Sequence, residues 1–405
     1  MVKERYNRQG LIKDWDQDKL TNSKVTLVGS NFLSDLILVD LLSMGFGNIN
    51  RIGSSETFEF EKINPEVYLE QKEEELSTSE QAEILVEDSN AVIDTSNDWQ
   101  SKFFSSIASE NKKIPYFACI STKTGLLLAK DLSGEQLINS QYNYLGERQG
   151  IANSIICSAM VSDELRKKIM PLEDDIDMEN LKYETVHESK TLEKKILQIG
   201  AGAIGTFSAI GLALLGADLN IVDFDSIEES NLNRQFLFYD SVGLNKAEVL
   251  EKRLKKFSKN INSFNGKIDS QFNPSGFDYI FSCVDNDEAR YYMNKASKKY
   301  NVPLINGGSS LTAGIAMPYY PNKTACLDCQ TGFKLSEGLE KQKEKRQAGD
   351  CFNPSLIISN QITAGLMLNS LSKSINRNYE KSNYISGGGI FDQKVDENCF
   401  SQCIT

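Results

Sequence analysis

The amino-acid sequence predicts an α/β protein made of two related units that follow one another along the chain. The 405 residues are enough for about two domains. Each half contains an apolar segment, a turn that begins with glycine, and an apolar helical stretch. A composition of 40% apolar and 25% charged residues is typical of a soluble globular protein, so we expect the chain to be folded nearly throughout.

The second half carries the complete form of this pattern, in the letters "ILQIGAGAIGTFSAIGLALLGADLNIVDFD". An apolar segment precedes three glycines, an apolar helical stretch follows them, and a second apolar segment ends at an aspartate. The glycines are Gly200, Gly202 and Gly205, and the aspartate is Asp223. In a Rossmann-like βαβ unit the glycines allow a tight turn, a close approach of a phosphate and helix–strand packing, and the acid binds ribose hydroxyls. The pattern therefore predicts a nucleotide site.

The first half repeats the pattern at fixed offsets, which indicates an internal duplication. The matched pairs are Gly29 with Gly200 and Gly45 with Gly216, 171 residues apart, and Asn97 with Asp285 and Pro115 with Pro303, 188 residues apart. In this copy the turn reads "GSNFLS" and Gly53 stands at the ribose position, so the first unit is predicted to be inactive. The two tandem Rossmann-like units should meet at about 170–190, where the many charges predict a solvated connector.

The charge balance and the histidine count argue against several classes of function. A formal net charge of −12 disfavours a nucleic-acid partner. The N-terminus has no apolar signal segment, and the most apolar stretch is short for a membrane span, so we expect a cytoplasmic protein without a membrane partner. The single histidine, His187, argues against Ser-His-Asp catalysis and against a multi-histidine metal site.

Further motifs follow the glycine turn in a fixed order: "VDFDSIEESNLNRQFLF", "VGLNKAEV", "CVDND", "NVPLINGG" and "ACLDC". In this order they resemble the ThiF/HesA/MoeB family of adenylating enzymes, which includes ubiquitin-activating enzymes and activators of sulfur carriers. They are also similar to its microcin-C-type peptide-modifying branch. The resemblance covers nearly all of residues 190–405. The first half, through its "RYNRQG" opening, resembles the inactive half of a ubiquitin-activating enzyme.

The resemblance implies ATP and Mg²⁺ as cofactors and gives a role to polar residues of the second unit. The implied set is Asn231, Arg234 and Lys246 at the triphosphate, Asp223, Asp225 and Asn286 among the nucleotide-binding residues, and Asp285 with magnesium. A carboxylate that attacks the α-phosphate needs a cation and fixed donors to neutralise the developing charge. It needs no general base, because it is already ionised at neutral pH.

The N-terminal "RYNRQ" motif predicts how the two units cooperate. In the family, the arginine of such a motif reaches from one protomer into the ATP site of the other. Here the motif belongs to the first unit, and the second unit begins without such an arginine. We therefore expect a pseudo-dimer in which Arg8 from residues 1–178 enters the active site of residues 190–405. A surface arginine in a frayed terminus is the alternative.

Cysteines near the C-terminus predict a structural zinc site. Cys326 and Cys329 of "ACLDC" are spaced so that both thiolates can reach one zinc ion. A second pair, Cys399 and Cys403, lies at the end of the chain as in many members of the family, with three intervening residues in place of the usual two. A metal-free, disordered tail is the alternative.

Cys351 is a further candidate for chemistry. It follows a charged segment that, by the resemblance, forms a crossover loop above the substrate tail at about 331–350. In ubiquitin-activating relatives a cysteine near this position takes the acyl group as a thioester, and the neighbouring Lys345 and Arg346 would favour its thiolate. An inert buried cysteine at the start of a helix is the other interpretation.

Three functions stay open from the sequence. The first is adenylation of a ribosomally made peptide during natural-product maturation. The second is activation of a ubiquitin-like or sulfur-carrier protein, with possible thioester transfer at Cys351. The third is a non-catalytic nucleotide-binding scaffold or a nicotinamide enzyme, which would not explain Lys246, Asp285 or the cysteine pairs. The expected partner is thus a peptide or small ubiquitin-like protein, and a homodimer beyond the internal pseudo-dimer is possible.

Overall fold

The structure is a computed structural model that describes residues 4–74, 76–131, 136, 149–179, 181–186, 188, 191–332, 334–335 and 354–399. His187, Cys351, Cys403 and most of the expected crossover loop therefore lie outside the described residues. Within the described residues the chain forms two β-sheets, one in each half. No helix in these ranges combines the length and the apolar character that crossing a membrane requires.

The first sheet has seven described strands in the order β3-β2-β1-β4-β5-β6-β7. They are β1 (Lys24–Val28), β2 (Asn48–Ile52), β3 (Tyr68–Lys72), β4 (Ala91–Asp94), β5 (Tyr116–Ser121), β6 (Gly125–Lys130) and β7 (Leu181–Glu184). Strands β1 to β5 run parallel, and β6 and β7 continue the sheet in antiparallel pairing.

The second sheet has eight described strands in the order β10-β9-β8-β11-β12-β13-β14-β15. They are β8 (Lys195–Ile199), β9 (Asp218–Val222), β10 (Ile261–Phe264), β11 (Tyr279–Ser282), β12 (Leu304–Ser309), β13 (Ala313–Tyr319), β14 (Glu380–Ile385) and β15 (Gly389–Lys394). Strands β8 to β12 run parallel, and β13 to β15 are antiparallel. The two sheets share one topology, so the predicted α/β fold of two tandem Rossmann-like units is confirmed.

Helices cover the sheets in corresponding places of the two units. In the described part of the first unit they are α1 (Gln17–Thr21), α2 (Phe32–Met44), α3 (Phe60–Ile63), α4 (Ser79–Leu85), α5 (Trp99–Lys112) and α6 (Ile151–Ile169). In the described part of the second they are α7 (Ala203–Leu214), α8 (Lys246–Leu254), α9 (Asp287–Tyr300), α10 (Leu327–Thr331) and α11 (Ile357–Ile375). Helices α2 and α7 follow the two glycine turns directly.

The two units pack through their longest described helices, α6 and α11, with α2 and α7 beside them. One cluster of buried apolar side chains extends across both units, and burial of such surface is the main stabilising contribution to folding. Two hydrogen bonds add specificity. Gln361 Nε2 donates to Ser158 Oγ at 2.6 Å, and Asn369 Nδ2 donates to Asn153 Oδ1 at 3.2 Å. The halves therefore form the expected pseudo-dimer.

The stretch from 170 to 190 differs from the predicted solvated connector. It contains β7, which pairs with β6 and completes the first sheet as far as Glu184. Tyr183 of this strand is buried, whereas its neighbours Lys182 and Glu184 point to solvent. Alternation of this kind is typical of a strand with one covered face, and the many charges of the segment obscured it in the sequence.

Candidate active site

The glycine turn of the second unit lies between β8 and α7. Gly200 has a φ of +101°, and a Cβ added there would lie 2.6 Å from the carbonyl oxygen of Cys283. At Gly202 the nearest heavy atom to an added Cβ is Gln235 Nε2, at 3.9 Å, so this side of the turn faces open space. The turn is thus closed towards the sheet and open towards Gln235, where a phosphate could approach the backbone.

Asp223 follows β9, the strand next to the glycine turn. Its carboxylate accepts hydrogen bonds from the backbone N–H of Ala201 at 2.6 Å and of Asp225 at 2.8 Å. Burial raises the pKa of Asp223, and the two N–H donors and the charge of Lys246 act in the opposite direction. The acid is therefore fixed against the glycine turn, as a ribose ligand would have to be.

Lys246 begins α8 and points back towards the same strand end. Its Nζ lies 3.1 Å from Asp225 Oδ2, and its backbone N–H donates to the Asp225 carbonyl at 3.0 Å. Asn245 caps the helix through its side chain, which accepts from the Glu248 N–H, and also donates to the Asp223 carbonyl at 3.1 Å. The sequence "LNKAE" thus places an ammonium group beside both aspartates.

Arg8 and Arg234 meet at this site although they come from different units. Burial lowers the pKa of Arg234 to about 10, and the positive charge of Arg8 acts in the same direction. The charges of Glu228 and Asp285 act on both arginines in the opposite direction. Because such effects need short distances, the two guanidinium groups and the two carboxylates form one cluster.

The remaining predicted residues lie around this cluster. Asn231 ends a 3₁₀ turn (Glu229–Asn231), where its Oδ1 accepts from the Glu228 N–H at 3.2 Å. Asp285 is exposed just beyond β11, and Asn286 caps α9 by accepting from the Ala289 N–H at 2.8 Å. The carboxyl ends of β8, β9 and β11 therefore bring the predicted residues to one edge of the sheet, as expected for an α/β nucleotide site.

The N-terminal segment is held between the units. Arg5, which is buried, donates from Nη1 to the Ile63 carbonyl at 2.8 Å and to the Leu232 carbonyl at 3.5 Å. One acceptor belongs to each unit. The motif "RYNRQ" is therefore docked within the described residues, which contradicts the alternative of a frayed terminus.

A groove of about 580 Å³ lies next to the cluster, and nothing in the sequence patterns had predicted it. It begins at Asp287 and Arg290 on α9 and continues over β12 to β14, past Asn306, Ile315 and Tyr384. Its lining combines a few polar groups with a larger apolar surface, as ligand sites commonly do. The signal in the sequence was Asn306 of "NVPLINGG", a polar residue inside a strand of the parallel part of the sheet.

Three cysteines of the predicted zinc site lie together. The sulfur atoms of Cys326, Cys329 and Cys399 are all within 4.8 Å of one another, and the Cys326 N–H donates to Cys399 Sγ at 3.3 Å. Tetrahedral zinc with bonds of about 2.3 Å requires sulfur atoms about 3.8 Å apart, so the three thiols fit the ion. Cys403, the fourth expected ligand, lies outside the described residues.

Comparisons with known proteins agree with this geometry. The ubiquitin-like modifier-activating enzyme 5 of Drosophila virilis is 30% identical over 220 residues, which are 49% of this chain and 54% of that protein. The SUMO-activating enzyme subunit 2 of Dictyostelium discoideum is 35% identical over 144 residues, 34% of this chain and 22% of that protein. The chain thus spans about half the length, or less, of these relatives.

Solved structures and family models were compared as well. The crystal structure of Escherichia coli MccB with ATP is 26% identical, with a TM-score of 0.42 over 51% of this chain and 64% of that one. Residues 175–394, more than half of the chain, match the ThiF family. On this match, the chain belongs to the ThiF family.

Proposed function

We propose that the protein uses ATP and Mg²⁺ to adenylate a carboxylate of a ribosomally made peptide or small protein, giving an acyl-adenylate and pyrophosphate. The observation that carries this proposal is the meeting of Arg8 and Arg234 at the open side of the glycine turn. Two cations that are both losing hydration repel each other, and a polyanion between them would relieve that repulsion. A nicotinamide site has no need of this arrangement.

The chain's own residues account for the requirements of this reaction. A carboxylate oxygen of the substrate attacks the α-phosphorus of ATP, and the bond from that phosphorus to the bridging oxygen breaks as pyrophosphate leaves. Arg8, Arg234 and Lys246 would stabilise the negative charge that develops on the phosphoryl oxygens and the leaving group. Mg²⁺, when bound, would neutralise further phosphate charge, and the exposed carboxylate of Asp285 suits this oxygen-preferring ion.

The groove beside Asp285 is the place where the substrate tail would lie. Its lining starts two residues after Asp285, so a chain that ends at the α-phosphate could extend over β12 to β14. Arg290 offers a guanidinium along this route, with one nitrogen held by the Val284 carbonyl at 2.7 Å. An extended peptide with a C-terminal carboxylate is a better match to this shape than a compact metabolite.

The second candidate is activation of a ubiquitin-like protein. The printed names of the curated relatives favour it, since the matched proteins are activating enzymes for SUMO and for a ubiquitin-like modifier. Adenylation is common to both candidates, and they differ in the substrate and in any later transfer to Cys351. A zinc ion held by the cysteine cluster would have a structural role in either case, because a closed thiolate site leaves no position for a substrate.

ATP–pyrophosphate exchange tests the proposal, with the peptide or small protein encoded beside the gene as substrate. Arg8→Ala should lower the exchange rate about 100-fold or more, because a buried cation at the phosphates is lost. Lys13→Ala is the matched control: this exposed lysine lies five residues away and pairs with Glu173 at the surface. Full exchange in Arg8→Ala would remove that arginine from the mechanism. A wild-type protein that neither binds MgATP nor exchanges would disprove the function itself.

A further inference from the structure

Asn233, which has no assigned role so far, joins three separate segments of the chain. Its side chain is fully buried. Its Oδ1 accepts from Arg234 Nη1 at 2.8 Å, and its Nδ2 donates to Gln9 Oε1 at 3.2 Å and to the Ser355 carbonyl at 3.3 Å. One short amide thus contacts the arginine of its own unit, the N-terminal segment of the other unit, and the residues that lead into α11.

Gln9 connects this amide to the core of the first unit. It is also fully buried, and its Nε2 donates to Gln17 Oε1 at 2.7 Å and to the Met44 carbonyl at 3.0 Å. Met44 is the last residue of α2, the helix that follows the first glycine turn. A continuous set of hydrogen bonds therefore runs from α2 through Gln9 and Asn233 to Arg234.

Ser355 ties the other arginine to the same point. Its backbone N–H donates to the Arg8 carbonyl at 3.2 Å, while its own carbonyl accepts from Asn233. The backbone next to the Arg8 side chain is thus fixed within two hydrogen bonds of Asn233. Both guanidinium groups of the cluster depend on this single amide for their relative placement.

Such placement matters because like charges do not hold each other in position. Without a bound anion, Coulomb repulsion would drive the two guanidinium groups apart, and long arginine side chains have many rotamers into which to move. A buried amide with all of these contacts satisfied resists that movement, since breaking any of them leaves a polar group unpaired in the interior. Preorganised charges are also the ones that stabilise a transition state most effectively.

We propose that Asn233 is a positioning residue, which uses the hydrogen bond to Gln9 of the first unit to set Arg234 and the backbone of Arg8 for the phosphates of ATP. This inference rests on the proposed function. It assigns the first unit a second contribution besides Arg8, namely the support that holds the arginine of the second unit. The two "NRQ" tripeptides of the chain then meet through Gln9 of one and Asn233 of the other.

The test measures binding of MgATP and of adenosine to the full-length protein and its variants. Asn233→Ala should weaken MgATP binding about tenfold, the usual size for a lost hydrogen bond to a charged group, and should leave adenosine binding unchanged. Asn233→Asp keeps the acceptor for Arg234 but cannot donate to Gln9 or Ser355, so it separates the two functions of the amide. If the link to the first unit is needed, it too should weaken MgATP binding several-fold.

A matched control is Asn369→Ala. Asn369 is an equally buried asparagine with one hydrogen bond to the other unit, but it contacts Asn153 in the helix interface, away from the arginines. This variant should lower the unfolding temperature and leave MgATP affinity unchanged. Wild-type affinity in Asn233→Ala or in Asn233→Asp would overturn the inference. Equal losses for ATP and adenosine would also overturn it, because they would indicate a general structural defect. A wild-type protein that binds no ATP would instead contradict the proposed function.

Discussion

The two glycine turns of the molecule have the same backbone surroundings and opposite contents. In the second unit the space beside Gly202 is open and is bordered by Asp223 and by groups that could contact a nucleotide. In the first unit Gly53 stands in place of that aspartate, and a Cβ added there would lie 2.7 Å from the carbonyl oxygen of Gly29. Asn31 crosses the turn and donates to the Thr95 carbonyl at 2.7 Å.

A buried arginine completes the difference. Arg51 of β2 is fully buried, and its Nε donates to the Gly29 carbonyl at 3.1 Å while its Nη2 lies 2.6 Å from Asp35 Oδ1. The corresponding position in β9 is occupied by Ile221. The first turn therefore satisfies its polar groups internally, whereas the second leaves space for an external anion. A duplicated unit can keep its fold after losing a ligand if a side chain takes over the ligand's electrostatic role.

The largest effect expected from this comparison is on stability. Arg51→Met should lower the free energy of unfolding by about 3–5 kcal/mol, because it leaves the Asp35 carboxylate buried without its partner. Chemical denaturation measures the loss. The double variant Arg51→Met/Asp35→Leu removes both charges and should recover much of it.

MgATP affinity of the folded Arg51→Met protein should be unchanged, since the second turn is intact. A loss of ATP binding without a loss of stability would show that the first turn takes part in nucleotide binding. The comparison between the turns would then have to be revised.

The fold was predictable because it depends on local patterns that occur twice. The offsets of 171 and 188 residues predicted corresponding strands and helices, and β1 and β8, α5 and α9, and β5 and β12 lie at those offsets in the structure. Strand β7 was missed because three of every four residues around it are polar or charged, and one buried side chain, Tyr183, gives a weak signal.

The site was predictable where motifs carry it and unpredictable where folding creates it. Asp223, Arg234 and Lys246 belong to motifs, and the structure brings them to one sheet edge. The contact between Gln9 and Asn233 joins residues that are 224 positions apart, so neither tripeptide reveals its partner. The partners of Arg51 are equally hidden, because a lone arginine in an apolar strand gives no indication of which carboxylate it will meet.

The cysteine cluster is a second difference between the units, with a smaller expected effect. The second unit has Cys326 and Cys329 where the first, 188 residues earlier, has Ile138 and Gln141. If three described thiols and Cys403 hold zinc, purified protein should contain about one ion per chain. Cys399→Ser should lower that content to well under half and reduce the unfolding temperature. Cys119→Ala, a buried cysteine of the first unit, should retain the metal. Metal-free wild-type protein would exclude the zinc site.

The smallest effect concerns pH and the residue that the first unit replaced by Gly53. Burial raises the pKa of Asp223, against the opposing influence of its two N–H donors. A raised pKa means that the folded protein holds this proton more tightly than the unfolded chain. The contribution of Asp223 to stability is therefore fully present below the unfolded pKa, and it is lost as pH rises through the folded pKa. Nucleotide binding should depend on pH in the opposite direction.

A ribose hydroxyl donates best to the ionised carboxylate, so MgATP affinity should be full above the folded pKa of Asp223 and should fall as the group is protonated. In a titration from about pH 8 to about pH 5 we expect a few-fold weakening that begins above the ordinary range of an aspartate. Asp223→Asn should bind more weakly at neutral pH and should lack this component, while keeping any contribution from the phosphates of ATP. Parallel pH profiles for the wild type and Asp223→Asn would show that Asp223 does not contact the ribose. The replacement by Gly53 would then have no bearing on the loss of binding in the first unit.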